Sequence, residues 1–225
     1  MLDYRPPLEA TTGNTPEASV IWLHGLGADG SDFLPIVEDI LSQAPLPPTH
    51  FVFPHAPAQA VTINGGYVMP SWYDILGLNA ESSEDEAGIR ESVRYLDTLI
   101  EHERASGIAA DRIVLAGFSQ GGNIALNCAL RYPQRLAGAL ILSSYLGLRD
   151  QLAREASAAN HDLPIFMAHG TQDEVVPPVW AADSRATLQD LGYRLAWHDY
   201  PMPHSVCAAE IADISAWLGQ VLRGA

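Results

Sequence analysis

The segment Gly117-Phe118-Ser119-Gln120-Gly121-Gly122 sets one hydroxyl between glycines. It follows the apolar run Arg112 to Ala116 and precedes a helix-like run from Asn123 to Tyr132. A serine at a strand-to-helix turn, with a glycine two residues away on either side, is the nucleophile-elbow pattern. Such a turn strains the serine backbone, so its neighbours must lack bulk. The hydroxyl stands above the sheet edge at a helix N-terminus, where peptide dipoles favour developing negative charge. The chemistry on offer is nucleophilic attack on a carbonyl. The pattern alone also describes an inert glycine-rich connection, so its meaning depends on partners elsewhere in the chain.

A serine hydroxyl is a poor nucleophile at neutral pH. It needs a base within hydrogen-bond reach and an acid to orient that base. The chain order for an elbow serine is Ser, then Asp or Glu, then His, and working groups come from loops at the carboxyl ends of strands. After Ser119 the histidines are His161, His169, His198 and His204. His161 precedes a strand and His198 lies inside one. His169 ends a strand, in His169-Gly170-Thr171-Gln172-Asp173, and reads as shaping the turn there. His204 follows the last strand and directly precedes the last helix, so it is the expected base. Asp173, in the loop after strand Ile165 to Ala168, is the expected acid, with Glu174 its nearest competitor; Asp183 and Asp190 fall on a helix and Asp199 in a strand. Two backbone N–H groups should face the developing oxyanion: Gln120, and one from the loop His24-Gly25-Leu26-Gly27, with Leu26 preferred to Gly25.

Those loops need strands behind them. Val20 to Leu23, Phe51 to Phe53, Ile113 to Ala116, Ala139 to Leu142, Ile165 to Ala168 and Arg194 to Tyr200 read as strands. Phe33 to Ser42, a segment opened by Ser82 to Glu86, Asn123 to Tyr132, Pro178 to Leu191 and Val206 to Leu222 read as helices. Ser31-Asp32 is the expected cap of the first helix, and Ser83 with Glu86 the expected capping box of the second. Residues 1–19 read as an extended entry with a weak edge strand. Residues 54–82 read as a long connection, and residues 145–163 as a short one with helical character. Several strands are apolar on both faces and alternate with helices. The fold class is therefore α/β, a mostly parallel central sheet covered by helices on both faces, in one domain spanning residues 1–225.

Gly25-Leu26-Gly27-Ala28-Asp29-Gly30 also fits the dinucleotide fingerprint G-x-G-x-x-G, which makes an oxidoreductase the rival enzyme class. The fingerprint wants an acid at the end of the next strand for the ribose. Here that strand ends in Pro54-His55, and Asp29 and Asp32 would face the pyrophosphate unfavourably.

The chain has 225 residues, 48% apolar, and a formal net charge of −15. This acidic surface disfavours nucleic acid and anionic membranes as partners. No basic segment followed by an apolar run marks a signal peptide, and the longest mostly apolar stretch, Leu136 to Leu148, is too short to span a bilayer. Cys128 and Cys207 lack metal-ligand spacing, so two free thiols in a cytoplasmic protein are expected, with no metal or organic cofactor. A homodimer is compatible with the chain.

With the site residues placed, the sequence resembles the carboxylesterase/acyl-protein thioesterase family of α/β-hydrolases over nearly its whole length. The resemblance rests on Leu23 to Gly30, Met69-Pro70-Ser71-Trp72-Tyr73-Asp74-Ile75, Glu84 to Ile89, Gly117 to Gly122, His169 to Pro177 and His204-Ser205-Val206. It implies the triad Ser119, Asp173 and His204, oxyanion donors Leu26 and Gln120, and an α/β-hydrolase fold with no large cap domain; residues 145–163 are too few for a cap. It also implies cleavage of a small-molecule ester or an S-acylated substrate. Carboxylic esters of short to medium acyl chain are expected first, with acyl-protein thioesterase or lysophospholipase activity on longer chains as the alternative. Met69, Trp72, Leu76 and Val176 are candidates for the substrate pocket, although each reads at least as well as core.

Overall fold

The computed structural model describes residues 4–77 and 83–223. In chain order the strands are β1 (Leu8–Thr11), β2 (Ala18–Leu23), β3 (Thr49–Phe53), β4 (Ala58–Val61), β5 (Tyr67–Pro70), β6 (Ile113–Phe118), β7 (Gly138–Leu142), β8 (Ile165–Gly170) and β9 (Leu195–Tyr200). The helices are α1 (Ile36–Gln43), α2 (Glu86–Ala105), α3 (Gln120–Arg131), α4 (Arg149–Glu155), α5 (Pro178–Asp190) and α6 (Ala208–Val221).

Seven strands form one sheet in the order β1-β3-β2-β6-β7-β8-β9, parallel except for β1, which runs antiparallel to β3 at the edge. The side-chain period of two divides each central strand between two cores. Ile21 and Leu23 face the core built with α2, α3 and α5, while Val20 and Trp22 face the one built with α1 and α6. That double burial is why β2, β6 and β7 read as continuous apolar runs. From β2 the chain winds outward to β3, and from β6 it winds the other way through β7, β8 and β9. The carboxyl ends of β2 and β6 therefore flank the switch point of the sheet, where α/β proteins place their ligand crevices.

Three local expectations are corrected. The helix expected over Phe33 to Ser42 begins at Ile36. Asp29 accepts the Ser31 N–H and hydroxyl at 2.8 and 2.6 Å, so the Ser31-Asp32 region closes a turn on its own side chains rather than capping α1. At α2 the cap is Asp85, which accepts the Gly88 N–H at 3.0 Å, in place of the Ser83–Glu86 box; Glu84 instead accepts the Leu148 N–H at 2.9 Å. Ser82 lies outside the described residues. The long connection after β3 contains the antiparallel hairpin β4–β5. Tyr67 and Val68 of that hairpin are exposed, so no buried face marks it as paired strands in the sequence.

The delayed start of α1 also bears on the dinucleotide reading. Five residues separate Gly30 from α1, so no helix N-terminus is presented to the glycine loop for a pyrophosphate.

Glu210, in the first turn of α6, is fully buried. Burial, partly offset by the Cys207 N–H, pushes its carboxyl up to about 7 from the ordinary 4.5. The folded chain thus keeps a proton that the unfolded chain releases. Stability falls as pH rises from about 4.5 to about 7, by on the order of 2–3 kcal/mol, and the loss is complete above that window. Glu210→Gln is expected to raise the melting temperature by roughly 5 °C at pH 8 and to leave it unchanged near pH 4. An equal shift at both pH values in a thermal melt would attribute the effect to packing instead of ionisation.

Candidate active site

Ser119 sits between β6 and α3 with φ 55° and ψ −123°, outside the regions that side-chain-bearing residues favour. The conformation is held from several sides. The Ser119 N–H donates to Leu142 O at 2.9 Å, and its carbonyl accepts from Gly122 N at 3.0 Å and from Ser144 Oγ at 2.6 Å. A Cβ added to Gly121 would lie 2.5 Å from the carbonyl oxygens of both Leu23 and His24. The first turn of α3 therefore rests on the end of β2 at a distance only glycine permits.

The loop after β2 is brought to the same point. A Cβ on Gly25 would lie 3.4 Å from Ser119 Cβ. His24 is buried and braces this loop. The Ala56 N–H must be a donor, so His24 Nε2 accepts it at 3.0 Å, and Nδ1–H donates to Gly25 O at 2.7 Å. Burial holds the His24 imidazolium down to about 4, so the ring is neutral at neutral pH and keeps this tautomer. Trp72 Nε1–H donates to His24 O at 2.8 Å, fixing the other side of the loop. Among the described residues, neither the Leu26 nor the Gln120 backbone N–H donates to a protein acceptor. The two expected oxyanion donors are thus unoccupied.

Asp173 and His204 meet across two further strand ends. His204 Nδ1 lies 2.7 Å from Asp173 Oδ2, with the carboxylate side chain 0% and the imidazole 15% exposed. Asp173 Oδ1 accepts the N–H groups of Val175 at 2.9 Å and Val176 at 2.8 Å. The loops carrying the two side chains are joined by Thr171 N–H to Tyr200 O at 2.8 Å and Gln172 N–H to Met202 O at 3.1 Å. A Cβ on Gly170 would lie 2.6 Å from Pro203 O, so this crossing also demands glycine. The Phe118 ring packs on the His204 ring at 4.6 Å between centroids, placing the imidazole beside the residue that precedes Ser119. Ser119 itself is 8% exposed, and its Oγ makes no hydrogen bond among the described residues. Glu174, the competitor of Asp173, is exposed, and His161 and His198 lie away from this edge, His198 stacked on Phe166 at 4.6 Å.

The candidate pocket residues separate. Leu76 is 43% exposed and lines a cavity of about 290 Å³ with Tyr73, Tyr145 and Trp180. Met69 approaches the loop after β2, its Sδ 3.8 Å from where a Gly27 Cβ would be. Trp72 and Val176 are buried, Trp72 completely; Trp72 Nε1–H bonds His24 O and the Val176 N–H bonds Asp173 Oδ1.

The Gln120 side chain was not legible from sequence. Its Nε2 donates to Tyr73 O at 2.6 Å and its Oε1 accepts the Trp72 N–H at 2.9 Å. It ties the elbow to the loop that walls the cavity, across 47 and 48 residues of chain. No local pattern signals such a contact, although an amide directly after an elbow serine invites a search for its partners. Among the described residues no group of three or more His, Cys, Asp or Glu side chains is arranged to hold a metal ion.

Known proteins share this arrangement of elements. Acyl-protein thioesterase 1 of Neurospora crassa is 40% identical over 226 residues, covering 97% of this chain and 92% of that protein. Acyl-protein thioesterase 1 of Yarrowia lipolytica is 38% identical over 210 residues, covering 92% of each. Among solved structures, Arabidopsis thaliana SOBER1 superposes with a TM-score of 0.85 at 29% identity, over 91% of this chain and 99% of that one. Zea mays acyl-protein thioesterase 2 gives 0.84 at 26% identity, over 96% and 99%. Residues 10–222 match the family model described as Phospholipase/Carboxylesterase, and with nearly the whole chain inside that match the protein belongs to the phospholipase/carboxylesterase family, with an α/β-hydrolase fold.

Proposed function

We propose that the protein is a serine hydrolase that cleaves carboxylic esters and thioesters through an acyl-enzyme. Ser119 is the nucleophile, His204 the base and Asp173 the orienting acid. The observation that carries this reading is the 2.7 Å His204–Asp173 pair, whose imidazole lies tilted against the ring of the residue before a strained Ser119. Asp173 accepts from His204 Nδ1, which leaves Nε2 as the nitrogen able to take the Ser119 proton. Attack on the carbonyl carbon forms the Oγ–C bond, and the developing oxyanion is received by the N–H groups of Leu26 and Gln120. His204 returns the proton to the departing alcohol or thiol. Water then attacks the acyl carbon as His204 takes its proton; the Oγ–C bond breaks, His204 passes that proton to Ser119 Oγ, and the acid leaves.

The cavity beside Leu76 is the proposed acyl site. Its wall is fastened to the elbow through Tyr73 O, and Tyr145 directly follows Ser144, which bonds the Ser119 carbonyl. About 290 Å³ suits short to medium acyl chains. The second reading is deacylation of S-acylated proteins, favoured by the names of the relatives at 38–40% identity. Parallel assays on p-nitrophenyl esters from acetate to caprylate, S-acyl peptides and lysophospholipid separate the two readings. Among the described residues no helix is long and apolar enough to cross a bilayer.

Ser119→Ala is expected to lower kcat by about 10⁴-fold or more and to abolish labelling by a fluorophosphonate probe. A labelled Ser119→Ala protein would remove Ser119 as nucleophile. His24→Ala frees the loop that aims Leu26 N–H and should reduce kcat about ten- to a hundred-fold with KM within about threefold; a loss confined to KM would contradict an oxyanion role for that loop. Leu76→Trp should cut caprylate turnover by about ten-fold and leave acetate within about twofold. An equal effect on both esters would place the acyl chain elsewhere.

A further inference from the structure

His169 is the last but one residue of β8 and is 1% exposed, yet the mechanism above gives it no task. Its Nε2 lies 2.9 Å from Val176 O, a carbonyl that can only accept, so the ring hydrogen resides on Nε2. Nδ1 is buried and without a partner, consistent with an unprotonated ring nitrogen there. The same Nε2 is 3.3 Å from Asp173 Oδ2, the oxygen that faces His204 Nδ1 at 2.7 Å. Val176 is in turn one of the two backbone donors to Asp173 Oδ1, at 2.8 Å. One imidazole N–H therefore grips the acid loop through the Val176 carbonyl while its nitrogen lies 3.3 Å from Asp173 Oδ2.

We propose that His169 is a positioning residue for the triad acid. Resting on the Ser119–His204–Asp173 reading, its neutral Nε2–H fixes the Asp173–Val176 turn and holds Oδ2 in the plane that His204 requires. The geometry has a physical rationale. Oδ1 is fixed by two backbone donors, but two donors on one oxygen leave the carboxylate free to pivot about that end. His169, anchored on β8 with Nε2 3.3 Å from Oδ2, blocks the pivot at that end and, through Val176 O, holds the turn whose N–H groups fix Oδ1. A histidine suits the place because it presents one N–H and, when neutral, adds no net charge beside an imidazole that must become positive during the reaction. A lysine or arginine would disfavour the His204 imidazolium at that step.

The test uses the full chain. In protein labelled with ¹⁵N-histidine, His169 is expected as the Nε2–H tautomer by two-bond ¹H–¹⁵N correlation; the Nδ1–H tautomer would overturn the proposal without any variant. His169→Leu removes the donor and should lower kcat about ten- to a hundred-fold, with KM changed less than about threefold, and broaden the low-field proton shared by His204 and Asp173. His169→Gln can place an amide N–H near the same point and should recover kcat to within about threefold, together with a sharp low-field proton. Full activity in His169→Leu, or equal damage in His169→Gln, would sink the proposal, the second by showing that ring shape matters and the donor does not. His204→Ala and Asp173→Ala are measured alongside. If they keep activity, the triad reading itself fails; if they lose it while His169→Leu does not, only the role of His169 falls.

Discussion

The structure depends on peptide groups lying closer together than side chains allow. At the carboxyl edge of the sheet the first turn of α3 presses on the end of β2 at Gly121, and the loop after β9 crosses the end of β8 at Gly170. The first contact brings Ser119 to the loop of His24, Gly25 and Leu26. The second brings His204 over Asp173. Any side chain at either glycine would push the loops apart, and groups that must work within hydrogen-bond distance would separate by ångströms. The strain at Ser119, with φ at 55°, is sustained because Leu142 O, Gly122 N–H and Ser144 Oγ leave its peptide groups no alternative partners.

Around these crossings, fixed hydrogen-bond direction replaces flexibility. The Ala56 N–H can only donate, which settles the tautomer of His24; Val176 O can only accept, which settles that of His169. Both rings are buried at strand ends, one supporting the loop expected to receive negative charge and the other the loop that carries Asp173. His24 remains uncharged because burial holds its imidazolium down to about 4. The expense of that burial falls on the acid side: below the ordinary histidine range the unfolded chain gains a proton that the folded ring refuses, so His24 withdraws stability as pH falls from about 6.5 to about 4. Glu210 does so in the opposite direction, as pH rises toward about 7. Between about pH 4.5 and 6.5 the two slopes oppose each other and largely cancel.

How much of this was legible in the sequence follows from the range of each interaction. The central strands announced themselves because both faces of β2, β6 and β7 are buried, which leaves nothing but apolar residues to read. The placement of Ser119, Asp173 and His204 followed from chain order and from strand ends, both local properties. The start of α1 and the cap of α2 did not follow, because several side-chain oxygens compete near each helix start and only the folded geometry decides that Asp85, and not Ser83, reaches the helix. The hairpin β4–β5 was hidden because its residues are largely exposed and carry no buried period. The support network was least legible of all. Gln120 reaching Trp72, and Ser92 donating to Trp72 O, join segments 48 and 20 residues apart, with residue types that are common in any loop.

That division between near and far also separates chemistry from recognition. The proposed reacting groups stand in the segments directly after β2, β6, β8 and β9, at the carboxyl edge of the sheet's hydrogen-bond ladder. The cavity wall comes from the segment after β5, from the β7–α4 connection and from α5, outside that ladder. Among the described residues, the bonds of Gln120 to Trp72 and Tyr73 and of Asn123 Nδ2 to the Tyr73 hydroxyl at 2.9 Å couple the two. Under the proposed function, changes at Leu76, Tyr145 or Trp180 reshape the acyl site without moving Ser119, whereas a change at Gly121 or Gly170 displaces the proposed reacting groups whatever substrate is bound. A chain built this way can alter its acyl preference while keeping one geometry for cleavage, because the proposed substrate contacts lie where the backbone is free to differ and the proposed reacting groups lie where it is not.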